Sequence, residues 1–434
     1  MNRDNARTLV KIFDAGVRAV LGYDAVKAAV QLTRNTLGIA GRKYRLSTFN
    51  RILVIGAGKA SFSMARALDE LLGMRIERGI VITKYGYGGL LNHIAVMEAS
   101  HPLPDREGIR ATQQVMALSK GVDSHTLVIV LLSGGASSLL VAPDDISLGD
   151  KIKTTSALLK SGAGIDELNT VRKQLSLVKG GRLAGMFYPA EIVTLIISDV
   201  IGNKLGTIGS GPTVQDTSTP KQALDIIDRY LGRDKVPQAV IQRLERKKNV
   251  MNNFTGVPKI HNIIIADNRK AVDACKARAL HLGLTPLILT TSLHGEAREA
   301  GHVLASIANE MVRKKTKPHK KVCIISSGET TVTVTGTGKG GRSQELALAF
   351  AMDVAGKQTI TLLSAGTDGT DGPTDAAGAI VDNTTMSRIT SLGMEPYNYL
   401  LHNDSYTVLD KAGALLKTGA TGTNVMDLQL ILPS

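Results

Sequence analysis

Three times in the first half of the chain a short aliphatic run stops at a glycine-marked turn and a helical pattern follows: RILVIGAGKAS from Arg51, TLVIVLLSGGAS from Thr126 and EIVTLIISDVIGN from Glu191. Buried strands of this kind, alternating with helices, predict a parallel sheet covered by crossover helices. Between them lie a helix over Ala60 to Leu72, the strand GIVIT and a helix over Arg106 to Ser119. Two amphipathic helices open the chain, one on Leu9, Val10, Phe13, Val17 and Val20, the other from Asp24 to Leu32.

The same alternation resumes later. Strands NIIIA, PLILT, VCIIS and TITLLS are spaced by helices over Arg269 to Leu282, Glu296 to Val312 and Ser343 to Val354. TTVTVT, from Thr330, reads as an edge strand or hairpin partner because β-branched residues alternate there. Between Lys247 and Asn262 the sequence is polar and turn-rich without an apolar period, which places a domain boundary near residue 250. The 434 residues suffice for two or three domains. The expected domains are 1–250 and 251–434, with the last strand allowed a return to the first.

Composition narrows the function classes. Lys and Arg number 52 against 38 Asp and Glu, a net charge of +14, which suits a nucleic acid or a small anion. Aromatics are only 3% and tryptophan is absent, so stacking platforms for nucleic acid are few, and small anions are favoured. The basic stretches Arg243 to Lys248 and Lys314 to Lys321 read as solvated faces. Two cysteines, Cys275 and Cys323, build no disulfide framework, no apolar run spans a membrane, and MNRDNARTLVKIF lacks a signal-peptide core. A cytoplasmic protein is expected, binding neither nucleic acid nor membrane.

The glycine turns are the candidate anion sites. GAGKAS, with Gly56 and Gly58, opens a helix and places N–H groups where a phosphate could sit. It is no P-loop, since Leu53 stands at the first glycine position, and it is a poor dinucleotide fingerprint. Ser61 replaces the third glycine, and the next strand ends at Thr83 and Lys84 where a ribose-binding carboxylate belongs. Lys59 opposes the helix dipole there, which points to service for an anion. Ser133, Gly134, Gly135, Ala136 and Ser137 form a second nest for a carboxylate or phosphate, and KGGR, from Lys179, lies in a helical stretch with Arg172 and Lys173 nearby. Its glycines read as a helix crossing or a functional feature. Asp199 ends a strand and reads as a Mg²⁺ ligand or a turn cap. In the second half, Glu329 follows a strand, Lys339 and Arg342 flank Gly340 and Gly341 at a helix start, and Asp368, Asp371 and Asp375 fill a loop without calcium spacing. The nine histidines make no catalytic triad or HExxH motif.

The ordered set GAGKAS, HPLPD, SGGASSL, NTVRKQLSLVKGGRLA, ISDVIGN, GSGPT, SGETTVTV, GKGGRSQELAL, GTDGTDGPTDAAGA and TGTNV closely resembles the glycerate 2-kinase family with a C-terminal MOFRL domain. The resemblance covers nearly the whole chain. It implies an N-terminal Rossmann-like doubly wound parallel sheet, a C-terminal α/β MOFRL-type domain with a mixed sheet, and an active site between the domains. It also implies phosphorylation of D-glycerate at its 2-hydroxyl with ATP and Mg²⁺, by a monomer or homodimer. Lys59 and Arg342 match the family's catalytic lysine and arginine. With that activity, Asp199, Glu329 and Asp368 are the expected metal ligands or base, and the 133–137 loop, Arg172 and Lys179 the anion-binding groups. Ser327, Ser343 and Met426 depart from the family pattern, where glycine, asparagine and asparagine are common. The runner-up is an NAD(P)-dependent hydroxypyruvate reductase, and a polyanion-binding protein comes third.

Overall fold

The strand and helix periods of the sequence reappear in the computed structural model, which describes residues 2–247, 259–313, 321–357 and 359–433. Contacts divide the chain into two units, residues 22–265 and residues 1–21 with 266–434.

The first unit is built on six strands: β1 (Arg51–Ala57), β2 (Arg78–Lys84), β3 (Ile94–Ala99), β4 (Thr126–Leu132), β5 (Glu191–Ile197) and β6 (Ile260–Ala266). Across the sheet they run β3-β2-β1-β4-β5-β6, and β1 to β5 pair in parallel. The order reverses between β1 and β4, a topological switch point whose carboxyl-end loops form the crevice where such sheets take ligands. All seven β4 residues are buried, which is why the strand reads as an unbroken apolar run. Helices Leu148–Lys160, Ile165–Gln174, Pro220–Tyr230 and Gln238–Arg246 close around a separate core that includes Leu158, Val171, Ile227 and Leu244.

The second unit carries β7 (Thr285–Leu293), β8 (Val322–Gly328), β9 (Ile360–Gly366), β10 (Gly378–Asp382), β11 (Leu415–Leu416) and β12 (Asp427–Pro433) in the order β7-β8-β12-β9-β10-β11. β7 and β8 are parallel, whereas β12 runs antiparallel to both β8 and β9. The sheet is therefore mixed, and its core includes Leu304, Phe350 and Ile431. Among the described residues no helix is long and apolar enough to cross a membrane.

Several expectations change. The division falls after residue 265 and the first helix belongs with the second unit, not with a domain 1–250. Helix Arg3–Arg18 buries Leu9, Ile12, Phe13 and Val17 in that unit, and Cys275 Sγ donates to Ile12 O at 3.4 Å. Its amphipathic period announced a buried face without saying what covers it. The boundary segment 248–258 and the basic stretch 314–320 lie outside the described residues. β12 stays in the second unit's sheet and does not return to the first. The second opening helix ends at Ala29, because Val30–Leu32 pairs with Thr36–Ile39. TTVTVT forms no strand, only a bridge from Thr331 to Glu296, since Thr333 N and Thr335 N donate to the side chains of Glu296 and Asn403.

Candidate active site

The carboxyl ends of β1 and β4 bring the loops 56–61 and 133–138 together. A Cβ at Gly58 would fall 2.1 Å from Ser133 Oγ, so only glycine lets the loops meet. The N–H groups of Gly58, Lys59, Ala60 and Ser61 donate to Ile82 O, Gly134 O, Ser133 Oγ and Gly58 O at 2.8 to 3.1 Å. This corrects the expectation that GAGKAS presents unpaired N–H groups to a phosphate: those donors tie the turn to its neighbours. A Cβ at Gly56 would likewise meet Leu131 O at 2.5 Å. Gly56 and Gly58 thus shape the crevice, and the side chain of Lys59 beside them is half-buried.

The second loop is different. The N–H groups of Gly134, Gly135 and Ser137 have no acceptor among the described residues. Gly135 sits at φ +87°, and a Cβ there would stand 2.9 Å from the His101 ring and 3.5 Å from Lys59 Cγ. Glycine is required both for the left-handed backbone and for the approach of these two side chains. Ala136 starts the short helix Ala136–Leu139 and is buried.

Beside this loop lies a cavity of about 330 Å³ lined by His101, Gly135, Ser137, Lys151, Arg172 and Lys179, among others. Lys179 is 1% exposed and donates to Ser137 O at 2.7 Å; Lys151 is 5% exposed and donates to Leu175 O at 2.8 Å. None of Lys151, Arg172 and Lys179 forms an ion pair with a described residue, while nearby Asp144 is taken by Arg243 and Lys247 and Asp216 by Lys173. Burial, then the neighbouring Arg172, pushes the Lys151 ammonium down to about 7, and burial drives Lys179 well below the usual lysine range. The placement of KGGR within a helix is corrected. Gly180 and Gly181 take φ +61° and +79°, forming a turn before helix Arg182–Met186 that leaves Lys179 inside. Asp199 is half-buried, two residues beyond β5 in this same unit.

In the second unit the strand register builds the site. Asp427, the first residue of β12, stands opposite Gly328 of β8 and Gly366 of β9. Its carboxylate takes Arg342 in a fork, Nε at 2.6 Å and Nη2 at 2.9 Å, while Arg342 Nη1 donates to Glu329. Burial alone would lower the guanidinium pKa, but Asp427 and Glu329 outweigh it and hold the charge on Arg342. Buried Asp371 accepts from Ser343 N and Gln344 N, capping the helix Arg342–Val354. Burial, then Asp427, pushes its carboxyl up to about 7. Gly340 packs on Ser405 and Gly341 on Asp371, so closely that a Cβ would fall 2.3 Å from each partner. Their packing alone accounts for these glycines. Lys339 lies over the Tyr406 ring, and Asp375 accepts from the Tyr406 hydroxyl.

Among the described residues no three carboxylates, histidines or cysteines converge as a metal site. A point at the Cβ position of Gly366 lies 3.0 Å from Thr370 O, 3.2 Å from Asp368 Oδ1 and 3.4 Å from Asp427 Oδ1, with both Asp427 oxygens also accepting from Arg342. Two carboxylates facing one cradle fit a Mg²⁺ that takes its remaining ligands from phosphates and water. Of the three expected ligands, Asp199 lies in the first unit and Glu329 and Asp368 in the second, with Glu329 engaged by Arg342. Two site residues were missing from the sequence reading. Lys151 ends the first turn of its helix and looks solvated in DKIKTT; Asp427 directly follows Met426, and its strand register gave no signal beyond the apolar run after it. The departing residues find places. Ser327 Oγ donates to Asp427 O at 2.8 Å, the buried Ser343 hydroxyl has no partner among the described residues, and Met426 adopts φ +72°.

Comparison with known proteins agrees with this architecture. The family model described as Domain of unknown function (DUF4147) matches residues 8–245, and the MOFRL family model matches 322–427. A D-glycerate 2-kinase of Thermotoga maritima is 44% identical over 96% of this chain and 99% of its own length. A glycerate 2-kinase of Pyrococcus horikoshii is 40% identical over 98% and 96%. A protein of Agrobacterium vitis named as a hydroxypyruvate reductase is 43% identical over 88% of this chain and 87% of its own length. The crystal structure of a Thermotoga maritima glycerate kinase superposes over 100% of both chains with a TM-score of 0.84 at 41% identity. With one model spanning more than half of its length and two kinases matching it almost from end to end, the chain belongs to the glycerate 2-kinase family with DUF4147 and MOFRL domains.

Proposed function

We propose that this enzyme transfers the γ-phosphoryl group of ATP, with Mg²⁺, to the 2-hydroxyl of D-glycerate, releasing 2-phosphoglycerate and ADP. The observation that carries this reading is the cation pocket beside N–H groups that have no acceptor among the described residues, at the switch point, in a chain of this family. The hydroxyl oxygen of glycerate attacks the γ-phosphorus, the bond from that phosphorus to the β–γ bridging oxygen breaks, and the hydroxyl proton passes to a carboxylate or water. Such transfer asks for positioning and charge neutralisation more than for covalent chemistry. Lys59 and Arg342 neutralise the moving phosphoryl group, and the 133–137 loop receives oxyanions through its N–H groups. Bound Mg²⁺ offsets phosphate charge; Asp368 and Asp427 would hold it, with Asp199 as a further ligand or base. The buried thiols of Cys275 and Cys323 suit a reducing cytoplasm.

The reductase alternative is disfavoured by two observations. A dinucleotide pyrophosphate would need the N–H groups that the GAGKAS turn already donates internally, and β2 ends in Lys84 instead of a ribose-binding carboxylate. Incubation with ATP, Mg²⁺ and D-glycerate, with the product isomer identified by NMR, tests the reading, alongside NADH oxidation with hydroxypyruvate. Phosphate on the 3-hydroxyl overturns the regiochemistry; NADH turnover without phosphorylation overturns the class.

A further inference from the structure

The pocket beside Gly135 holds more positive charge than its surroundings answer. Lys151 comes from helix Leu148–Lys160, Arg172 from helix Ile165–Gln174 and Lys179 from the turn after it, so three separate segments deliver cations to one cavity. A buried lysine or arginine in a purely structural role is normally paired with a carboxylate. Among the described residues Lys151 and Lys179 hydrogen-bond only to backbone carbonyls, and Arg172 makes no side-chain hydrogen bond. The remaining charges that bear on Lys151 are Lys247, Arg182 and Asp144, of which Asp144 is bound to Arg243 and Lys247. At about 330 Å³ the cavity lies near the lower end for ligand pockets, a size for a small acid.

We propose that this pocket seats the carboxylate of the acceptor on Lys151, Arg172 and Lys179, and that Lys151 is the residue that makes the enzyme choose a hydroxy acid over a neutral polyol. The inference rests on the glycerate kinase reading and adds to it the group that recognises the acid. A carboxylate seated there supplies the missing counter-charge, and the acceptor hydroxyls then face the 133–137 loop, His101 and Lys59. The same electrostatics make binding take up protons above neutral pH, because an anion beside Lys151 restores its charge.

The test compares wild type with Lys151→Met, Lys151→Arg and Arg172→Gln on D-glycerate and on its uncharged amide, glyceramide. In wild type kcat/KM strongly favours D-glycerate. Lys151→Met is expected to reduce that preference by about 10²-fold, mainly through KM, the order seen when one partner of a buried charged pair is removed. Lys151→Arg should retain most of the preference, and Arg172→Gln should lose at least tenfold of it. Melting temperature separates recognition from structure: Lys151→Met should melt at or above wild type, because an unpaired buried cation has been removed. A preference within twofold of wild type in Lys151→Met overturns the proposal, whatever its melting temperature. Calorimetry with D-glycerate alone keeps the two readings apart. Lys151-dependent binding without any phosphorylation breaks the kinase reading and leaves the pocket; phosphorylation with an unchanged preference does the reverse.

Discussion

At the loop end of β1 and β4 the charges are the buried cations Lys151 and Lys179 with the half-buried Arg172, and no carboxylate pairs them among the described residues. At the loop end of β8, β9 and β12 they are the carboxylates Asp368, Asp371 and Asp427, and Arg342 is gripped by Asp427 and Glu329. The net charge of +14 conceals this division. Each end holds charges that cost free energy to bury, and the reading proposed above gives each a ligand of opposite sign: an oxyanion for the first, a metal ion for the second. Under the proposed function both ligands belong to one reaction.

The strongest way to break the comparison is to remove one cation from each end. Lys59→Ala and Arg342→Ala should each lower kcat by about 10² or more, as for loss of preorganised charge stabilisation. The double variant should lose less than the product of the single losses. Small additive changes in KM that salt masks would show two independent surface cations instead. Next in size, Asp427→Asn should lower kcat about tenfold or more and raise the Mg²⁺ concentration needed for half-maximal rate, because it both loosens Arg342 and removes a carboxylate from the cradle. Glu329→Gln loosens Arg342 alone and should leave the Mg²⁺ titration in place; an equal shift in both variants would put Glu329 among the metal ligands.

The cationic end should also announce itself in stability. Lys151 titrates near 7 when folded and near 10.5 when unfolded, so between those values the native state binds fewer protons. Stability should therefore rise with pH across that window, by at most about 1.4 kcal/mol per pH unit for one proton. Urea unfolding at stepped pH should show this slope in wild type and a flatter one in Lys151→Met; identical slopes would assign the titration to other groups. The smallest contrast concerns two hydroxyls. Ser133 Oγ accepts from Ala60 N at 3.0 Å, so Ser133→Ala should cost about 1 kcal/mol, whereas Ser343→Ala removes an unpartnered buried hydroxyl and should be neutral or stabilising by about 1 kcal/mol. Thermal unfolding of both variants measures the difference.

Local pattern carried the sequence reading a long way. β1, β4, β5 and the glycine turns after them are visible because buried parallel strands are uninterrupted apolar runs. Lys59, Arg172, Lys179 and Arg342 were visible because each stands in or beside a glycine-rich motif. What escaped depends on long-range packing. Lys151 looks like any exposed helical lysine until its helix closes on Val171, Ile227 and Leu244. Asp427 acquires its role from a register linking β12 to strands about 60 and 100 residues earlier. TTVTVT has the composition of a strand, but β propensity yields to context, and here side chains claim the backbone donors.

The placement of β12 between β8 and β9, together with the docking of helix Arg3–Arg18 beside residues 268–281, has a consequence for birth on the ribosome. That helix leaves the exit tunnel long before its partner, which is translated some 250 residues later, on the order of tens of seconds at about 5–20 residues per second. Throughout that interval Leu9, Ile12, Phe13 and Val17 have no native surface to cover them. The central strand of the sheet arrives later still, so the unit cannot close until β12 has been made. A nascent chain stalled before Asp427 should display two unzipped strand edges, on β8 and β9, the kind of surface a chaperone recognises.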